Sequence, residues 1–410
     1  MTSDPTAAQF GPFDVVIAGA GLAGGSLALR LAREGVKVAV VDPSTFPRTK
    51  ICGEFLSPEC WDVFDDLGLT GAIEQLDYQP IHRVRISTPR GREVIADVIG
   101  PDGRPGIGLS RSALDHLILQ RAEQAGATIF EATRVSAPLV TGGRVAGIIA
   151  RSTVHGPITI RAKVTVGADG RQSTLVKQAG ATRDRSWFRP RLFGLKRHFH
   201  LADLADGEQP GTVGLHLIPG GYGGTCRVEG DLTNLCALLP EARVRDRRGD
   251  LDRVAIDCLG LNPALGRLLA GGAGVGDWKT VAGVRVQISR PTLPGILFAG
   301  DSQGTVDPLG GQGMTMALLG SAELVPFIKA GLRREQPGVD SKIQAEWRNA
   351  WRRRFDRRIW LCRAFHHFLI HPSLTDLASI LGPVGSRLLA NSFGQTRDGT
   401  RRRVPAPEVV

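Results

Sequence analysis

The stretch Asp14-Val-Val-Ile-Ala-Gly19-Ala-Gly21-Leu22-Ala23-Gly24 constrains the fold more than any other. Val15, Val16 and Ile17 read as a buried strand. The pattern then breaks at Gly19-x-Gly21-x-x-Gly24 and resumes as a helix rich in Ala and Leu to about Glu34. Glycines at these places make a tight turn, admit a pyrophosphate close to the backbone, and pack helix against strand. Unpaired N–H groups at the helix start then face the diphosphate. A second strand, Val36-Lys-Val-Ala-Val-Val41, ends in Asp42, placed to accept hydrogen bonds from an adenosine ribose. An acid there suits FAD or NAD and disfavours a 2′-phosphate. Alone, the glycine motif keeps a plain helix-packing turn as its minority reading, roughly one chance in four or five.

With 410 residues there is room for one large domain or two intimate ones. No stretch approaches a transmembrane span, and the N-terminus lacks the basic-then-apolar layout of a signal peptide. Six cysteines show no metal-type pairs and nine histidines no metal-like set, so a reduced, cytoplasmic, metal-free protein is expected. The net charge of +11 is uneven, with eight basic residues against two acids from Lys342 to Arg363. Trp347, Trp351, Phe355 and Ile359 recur every four residues, so one helical stripe packs while the arginines face water. The sharper alternative is peripheral contact with an anionic membrane. No recognition module accompanies the charge, which argues against nucleic acid.

Two more motifs follow the first. Ala162-Lys-Val-Thr-Val-Gly-Ala-Asp169-Gly170-Arg-Gln-Ser173 is a strand stopping at an Asp-Gly turn. Gly295-Ile-Leu-Phe-Ala-Gly300-Asp301 is another, followed by Pro308-Leu-Gly310-Gly311-Gln312-Gly313-Met314 and a long apolar helix. In this order and at these separations the trio resembles the FAD-dependent oxidoreductases built like para-hydroxybenzoate hydroxylase. That group includes aromatic-ring monooxygenases, geranylgeranyl reductases and flavin-dependent halogenases. The resemblance covers roughly residues 12 to 330.

It implies an α/β (α+β) architecture: a Rossmann-like FAD-binding domain, an antiparallel-sheet substrate domain and a C-terminal helical segment. The FAD domain is expected in three pieces, 12–79, 106–180 and 281–330. Residues 80–105 and 181–280 alternate polar and apolar positions and should form the substrate sheet. Helices are expected over 331–395, with a tail at 396–410. Gly271-Gly-Ala-Gly-Val-Gly276 has the wrong spacing for a second nucleotide site and reads as a loop.

By the resemblance, Gly19, Gly21, Leu22, Ala23, Gly24 and Asp42 hold the ADP half of FAD. Arg48 and Arg111 are further cofactor ligands, Arg111 at the phosphates or ribityl chain. Val135 clamps adenine. Asp169 and Gly170 lie on the pyrophosphate and nicotinamide side, and Asp301 meets ribityl or ribose hydroxyls. Pro308, Gly311, Gly313 and Met314 belong to the turn facing the flavin N1 and O2 edge. A helix N-terminus there stabilises the negative charge of reduced flavin.

The run Phe46-Pro-Arg48-Thr-Lys50-Ile-Cys52-Gly-Glu54-Phe-Leu-Ser-Pro58 resembles the loop that geranylgeranyl reductases and halogenase-like members place beside the isoalloxazine. Lys50, Cys52 and Glu54 are therefore candidate catalytic residues. Their plain alternatives are a solvated lysine, a packing cysteine and the N-terminal partner of a helix near Pro58. His198, His200, His216 and Tyr222 are candidates to line the substrate.

Three chemistries suit such a chain. The leading reading is a NAD(P)H-driven monooxygenase, using O2 through a flavin C4a-hydroperoxide, on a hydrophobic secondary metabolite such as a polyketide or alkyl-phenol. Against simple ring hydroxylation, the family's Gly-Asp-Ala-Ala-His is here Gly300-Asp301-Ser-Gln-Gly304. The second reading is geranylgeranyl-reductase-like reduction of C=C bonds in an isoprenoid lipid. The Lys50-Ile-Cys52-Gly53 loop favours it, and the missing Tyr-x-Trp-x-Phe-Pro element counts against it. A halogenase, lacking its Trp-x-Trp-x-Ile-Pro element, and a non-catalytic flavin-binding protein come last.

Overall fold

The computed structural model of the chain describes residues 7–185, 192–201, 209–247, 249–284 and 287–369. The expected helices beyond 369, the tail at 396–410 and parts of the 181–280 segment lie outside the described residues.

Two large sheets organise the molecule. In the first, Ala8–Ala18 pairs in parallel with Val38–Val41 on one side and Gly156–Gly167 on the other. Thr128–Phe130 extends one edge, Arg144–Ser152 and Thr133–Thr141 the other, and Ile296–Phe298 also pairs with Gly156–Gly167. All four residues of Val38–Val41 are buried, as in a parallel sheet covered on both faces. The helix Leu22–Arg33 buries ten residues and packs against Arg111–Gln124 and Gly313–Leu332.

The second sheet runs Gly272–Val284, Leu192–Leu201, Leu232–Pro240, Gly221–Arg227, Thr212–Ile218, Arg83–Ser87, Glu93–Asp97. Thr212–Ile218 and Arg83–Ser87 pair in parallel and the other neighbours antiparallel. This joins the two chain segments expected to make one substrate sheet. The glycine run at 271–276 is not a loop: Gly272–Val284 is a strand that, among the described residues, pairs only with Leu192–Leu201 and is mostly exposed. An edge strand has one solvated face, so the small residues that suggested a loop are tolerated there.

Registry sorts this sheet into two faces. Lys196 and His198 share the front with Asn234, Cys236, Tyr222, Gly224 and Leu215. His216, one position from Leu215, falls on the back. There it bonds Ser87 Oγ (2.8 Å) and Thr225 Oγ1 (2.8 Å), beside the buried Asn262.

The helix Ser341–Leu369 docks with Trp347, Trp351, Phe355 and Ile359 buried, matching the stripe. The arginines do not all face water, since Arg358 is buried. The expectation of no membrane-length apolar stretch needs correcting too. Gly313–Leu332 is long and apolar enough to cross a bilayer, yet it packs within the molecule against Leu22–Arg33. A central core helix passes the same test of length and composition.

Candidate active site

The glycine turn is built as its sequence demands. Gly19 has φ +102, and a Cβ there would lie 2.4 Å from the Ala168 carbonyl oxygen; one on Gly24 would lie 1.8 Å from the Gly19 oxygen. Gly21 opens the helix with no side-chain cap, so its first N–H groups stay available. The Ala20 N–H donates to Asp42 Oδ2 at 2.9 Å, and the Ser44 N–H to Asp42 Oδ1 at 3.0 Å. Asp42 therefore shapes the turn as well as standing at the end of its strand.

Three cations converge on this turn. A Cβ built on Gly21 would lie 3.5 Å from Arg111 Nη2, 3.5 Å from Lys50 Nζ and 3.7 Å from Arg48 Nη2. Arg111 is held bidentate by Asp115, four residues along its own helix, at 2.8 and 2.7 Å. Arg48 lies 3.3 Å from Asp115 and 3.5 Å from Asp42. Burial opposes the charge on Arg111, but Asp115 outweighs it and raises the guanidinium above its ordinary value. Lys50 has no such partner: burial, then Arg111 and Arg48, push its ammonium down to about 8.

The loop after Lys50 is held from the opposite side. Glu54, buried and with φ +57, accepts from Lys196 Nζ, from His198 (2.7 Å) and from the Arg111 backbone N–H (2.9 Å). Lys196 also donates to the Lys50 carbonyl (3.1 Å), and Asn234 to the Cys52 carbonyl (3.0 Å). Burial works against ionising Glu54, but His198 and Lys196 outweigh it and hold the carboxyl below the usual range. The helix it caps is Arg111–Gln124, not one near Pro58.

Between loop and sheet lies a cavity of about 570 Å³. Gly21, Leu22, Ala23, Lys50, Cys52, Glu54 and Arg111 line it, as do Asp169, Gly170, Asp301, Pro308, Gly311, Gly313, Met314 and Tyr222. Asp169 caps the Thr174 N–H (2.7 Å) and accepts from Ser302 Oγ (3.2 Å), so the second and third motifs are stitched together. Asp301 pairs with Arg171 at 3.1 Å. Val135 sits in the first sheet's core, two residues beyond Thr133, whose N–H bonds the Asp42 carbonyl. His198 borders the loop, His200 is exposed, and His216 stands on the sheet's back face, away from the cavity.

Sequence reasoning missed Lys196, Asn234 and Cys236. The strand rule could have found Lys196, since it alternates with His198 and His200. Cys236 lines the cavity, and burial, then the neighbouring Cys52, push its thiol up to about 12. Burial and Asp307 raise the Tyr222 phenol well above its ordinary value. Among the described residues, no group of three or more His, Cys, Asp or Glu could hold a metal ion.

The cradle fits a dinucleotide diphosphate: three cations gathered around Gly21, helix N–H groups with no side-chain cap, and one underneutralised lysine aimed at the same point. Residues 12–206 match the family of FAD binding domains. The chain is 25% identical over 397 residues to conditioned medium factor receptor 1 of Dictyostelium discoideum, covering 92% of this chain and 75% of that protein. It is 33% identical over 184 residues to the menaquinone reductase of Mycobacterium tuberculosis, 44% of this chain and 42% of that enzyme. The solved structure of a triple mutant of the flavin-dependent brominase Bmp2 matches with TM-score 0.78 and 18% identity, covering 95% of this chain and 96% of that one. Motifs, cradle and matches agree: residues 12–206, just under half of the chain, match an FAD binding domain, and the fold is shared with the flavin-dependent brominase.

Proposed function

We propose that this oxidoreductase reduces a carbon–carbon double bond of an apolar, isoprenoid-like substrate. The carrying observation is the cavity wall, where two thiols and a phenol, Cys52, Cys236 and Tyr222, stand among Val84, Leu215, Leu238 and Leu309. Bound FAD would supply electrons and one hydrogen, drawn from NAD(P)H. The second hydrogen must reach the substrate as a proton, and in an apolar pocket its donor has to be neutral. The raised values of Cys236 and Tyr222 keep protons on Sγ and Oη at neutral pH. Glu54, held ionised between Lys196 and His198, positions the loop and donates nothing. Lys50, Arg48 and Arg111 hold the diphosphate, and Pro308 to Met314 face the flavin. The menaquinone reductase relative supports a lipid-like substrate.

A NAD(P)H-driven monooxygenase on a polyketide or alkyl-phenol is the second reading, favoured by the apolar lining that would exclude water. Against it, thiols beside a site of oxygen activation are prone to oxidation. Product analysis decides. Enzyme, FAD, NAD(P)H and a lipid extract are incubated under labelled dioxygen and, separately, without oxygen. A product gaining two hydrogens in both flasks supports the reductase. A product gaining labelled oxygen only in the first flask overturns it.

A further inference from the structure

Helix Ser341–Leu369 lies outside the stretch matched as an FAD binding domain, yet its inner face touches the turn that opens toward the flavin. Arg358 is buried, 3% exposed. Its guanidinium binds Glu59 with two nitrogens, at 3.1 and 2.9 Å, and donates to Gln312 Oε1 at 3.0 Å. Gln312 is fully buried, precedes the first residue of helix Gly313–Leu332, and its own amide reaches the Gly310 carbonyl (3.4 Å). Glu59 also accepts from Ser57 Oγ (3.0 Å), and Ser57 bonds Thr315 Oγ1 (3.1 Å) in that helix's first turn. Four and eight residues beyond Arg358, the same helix supports the loop again. His366 bonds Asp307 (2.8 Å), and a Cβ on Gly310 would lie 2.6 Å from Cys362 Sγ.

We propose that Arg358 is a positioning residue for the flavin. It fixes the Gly310–Met314 turn so that the N–H groups at the start of Gly313–Leu332 keep their aim at the pyrimidine edge. A surface arginine would not need a carboxylate and an amide placed for it inside the protein, and burying that guanidinium unpaired would be costly. The Gln312 contact gives the pair its direction, because it ties the cation to the turn rather than only to Glu59. Preorganised donors stabilise charge best when they do not move as it develops. Loosening the turn therefore weakens binding of reduced FAD, whose pyrimidine edge is anionic, more than binding of oxidised FAD.

The proposal rests on the FAD site and not on the choice of substrate, so its test uses no substrate. The two-electron reduction potential and the visible spectrum of bound FAD are measured in wild type, Arg358→Met and Gln312→Leu. About ten-fold weaker binding of reduced relative to oxidised FAD is expected in Arg358→Met, which moves the potential ~30 mV more negative. A shifted flavin absorption band should accompany it. Gln312→Leu cuts the link from the turn side, leaves the Arg358–Glu59 pair intact, and should move the potential the same way. An unchanged potential and spectrum in Gln312→Leu overturns the proposal, whether or not Arg358→Met folds.

Discussion

Two charge clusters flank the Lys50–Glu54 loop, and they close differently. On one side Arg48, Lys50 and Arg111 face Asp42 and Asp115, three cations against two carboxylates. On the other, Glu54 is enclosed by Lys196, His198 and a backbone N–H, with Lys196 and Glu54 side chains each 1% exposed. The first set keeps an excess of positive charge beside the cavity, as a site that binds an anion requires. The second satisfies itself and is built to hold, fastening the loop to the front of the second sheet. Similar residues thus serve opposite purposes, and the balance of charge separates them.

The largest effect should come from opening the closed cluster. Lys196→Met removes the cation from a buried carboxylate and is expected to destabilise the protein by about 3–5 kcal/mol. Urea unfolding of the FAD-free protein measures it. The sign with pH follows from Glu54, whose carboxyl is lowered in the fold. Its contribution is present above the ordinary carboxylate value and is lost as pH falls below it, so wild type and variant should converge in acid. A Lys196→Met protein as stable as wild type at neutral pH would erase the distinction between the two clusters.

The open cluster was legible in the sequence, and the closed one largely was not. Gly19, Gly21, Gly24 and Asp42 announce themselves because turn geometry and strand ends are local. Arg111 and Asp115, four residues apart on one helix, could be paired by eye. Glu54 and Lys196 are separated by 142 residues, and only the fold brings them together. His216 was mistaken for a cavity residue because strand parity turns on a single position: its neighbour Leu215 faces the cavity, so His216 cannot. The Arg358–Gln312 link was hidden for a different reason. An arginine among seven other basic residues of one helix reads as solvated until the packing shows which face is inside.

A middle-sized effect should mark the open cluster as a binding device. Lys50→Met is expected to weaken FAD binding about ten-fold, or ~1.4 kcal/mol, since one charge-assisted contact to the diphosphate is lost. Titration calorimetry on the apoprotein measures it. The pH dependence runs opposite to that of Glu54. Lys50 is depressed to about 8 without FAD, and a bound diphosphate draws it back up, so binding takes up a proton above pH 8. Wild-type affinity should therefore fall as pH rises beyond 8, while Lys50→Met stays flat over the same range. The apoprotein itself should gain stability from pH 8 toward 10.5, because the unfolded lysine binds its proton where the folded one does not. Equal slopes for wild type and variant would mean that Lys50 does not meet the diphosphate.

The smallest effect tests whether the clamp on the loop is more than its charges. Asn234 donates to the Cys52 carbonyl from the same face as Lys196 and His198, through an uncharged bond. Asn234→Ala should cost about 1 kcal/mol, with no dependence on pH between 5 and 8, because neither partner titrates. Its local consequence should exceed its global one. Freed at Cys52, the loop can swing its thiol toward solvent, so labelling by a maleimide should quicken several-fold in the FAD-free protein. If labelling at Cys52 stays at the wild-type rate while Lys196→Met accelerates it, the ion pair alone fastens the loop. If Asn234→Ala accelerates it without a measurable loss of global stability, the loop opens as a local unit, and the two sides of the cavity are coupled only by what spans residues 50–54.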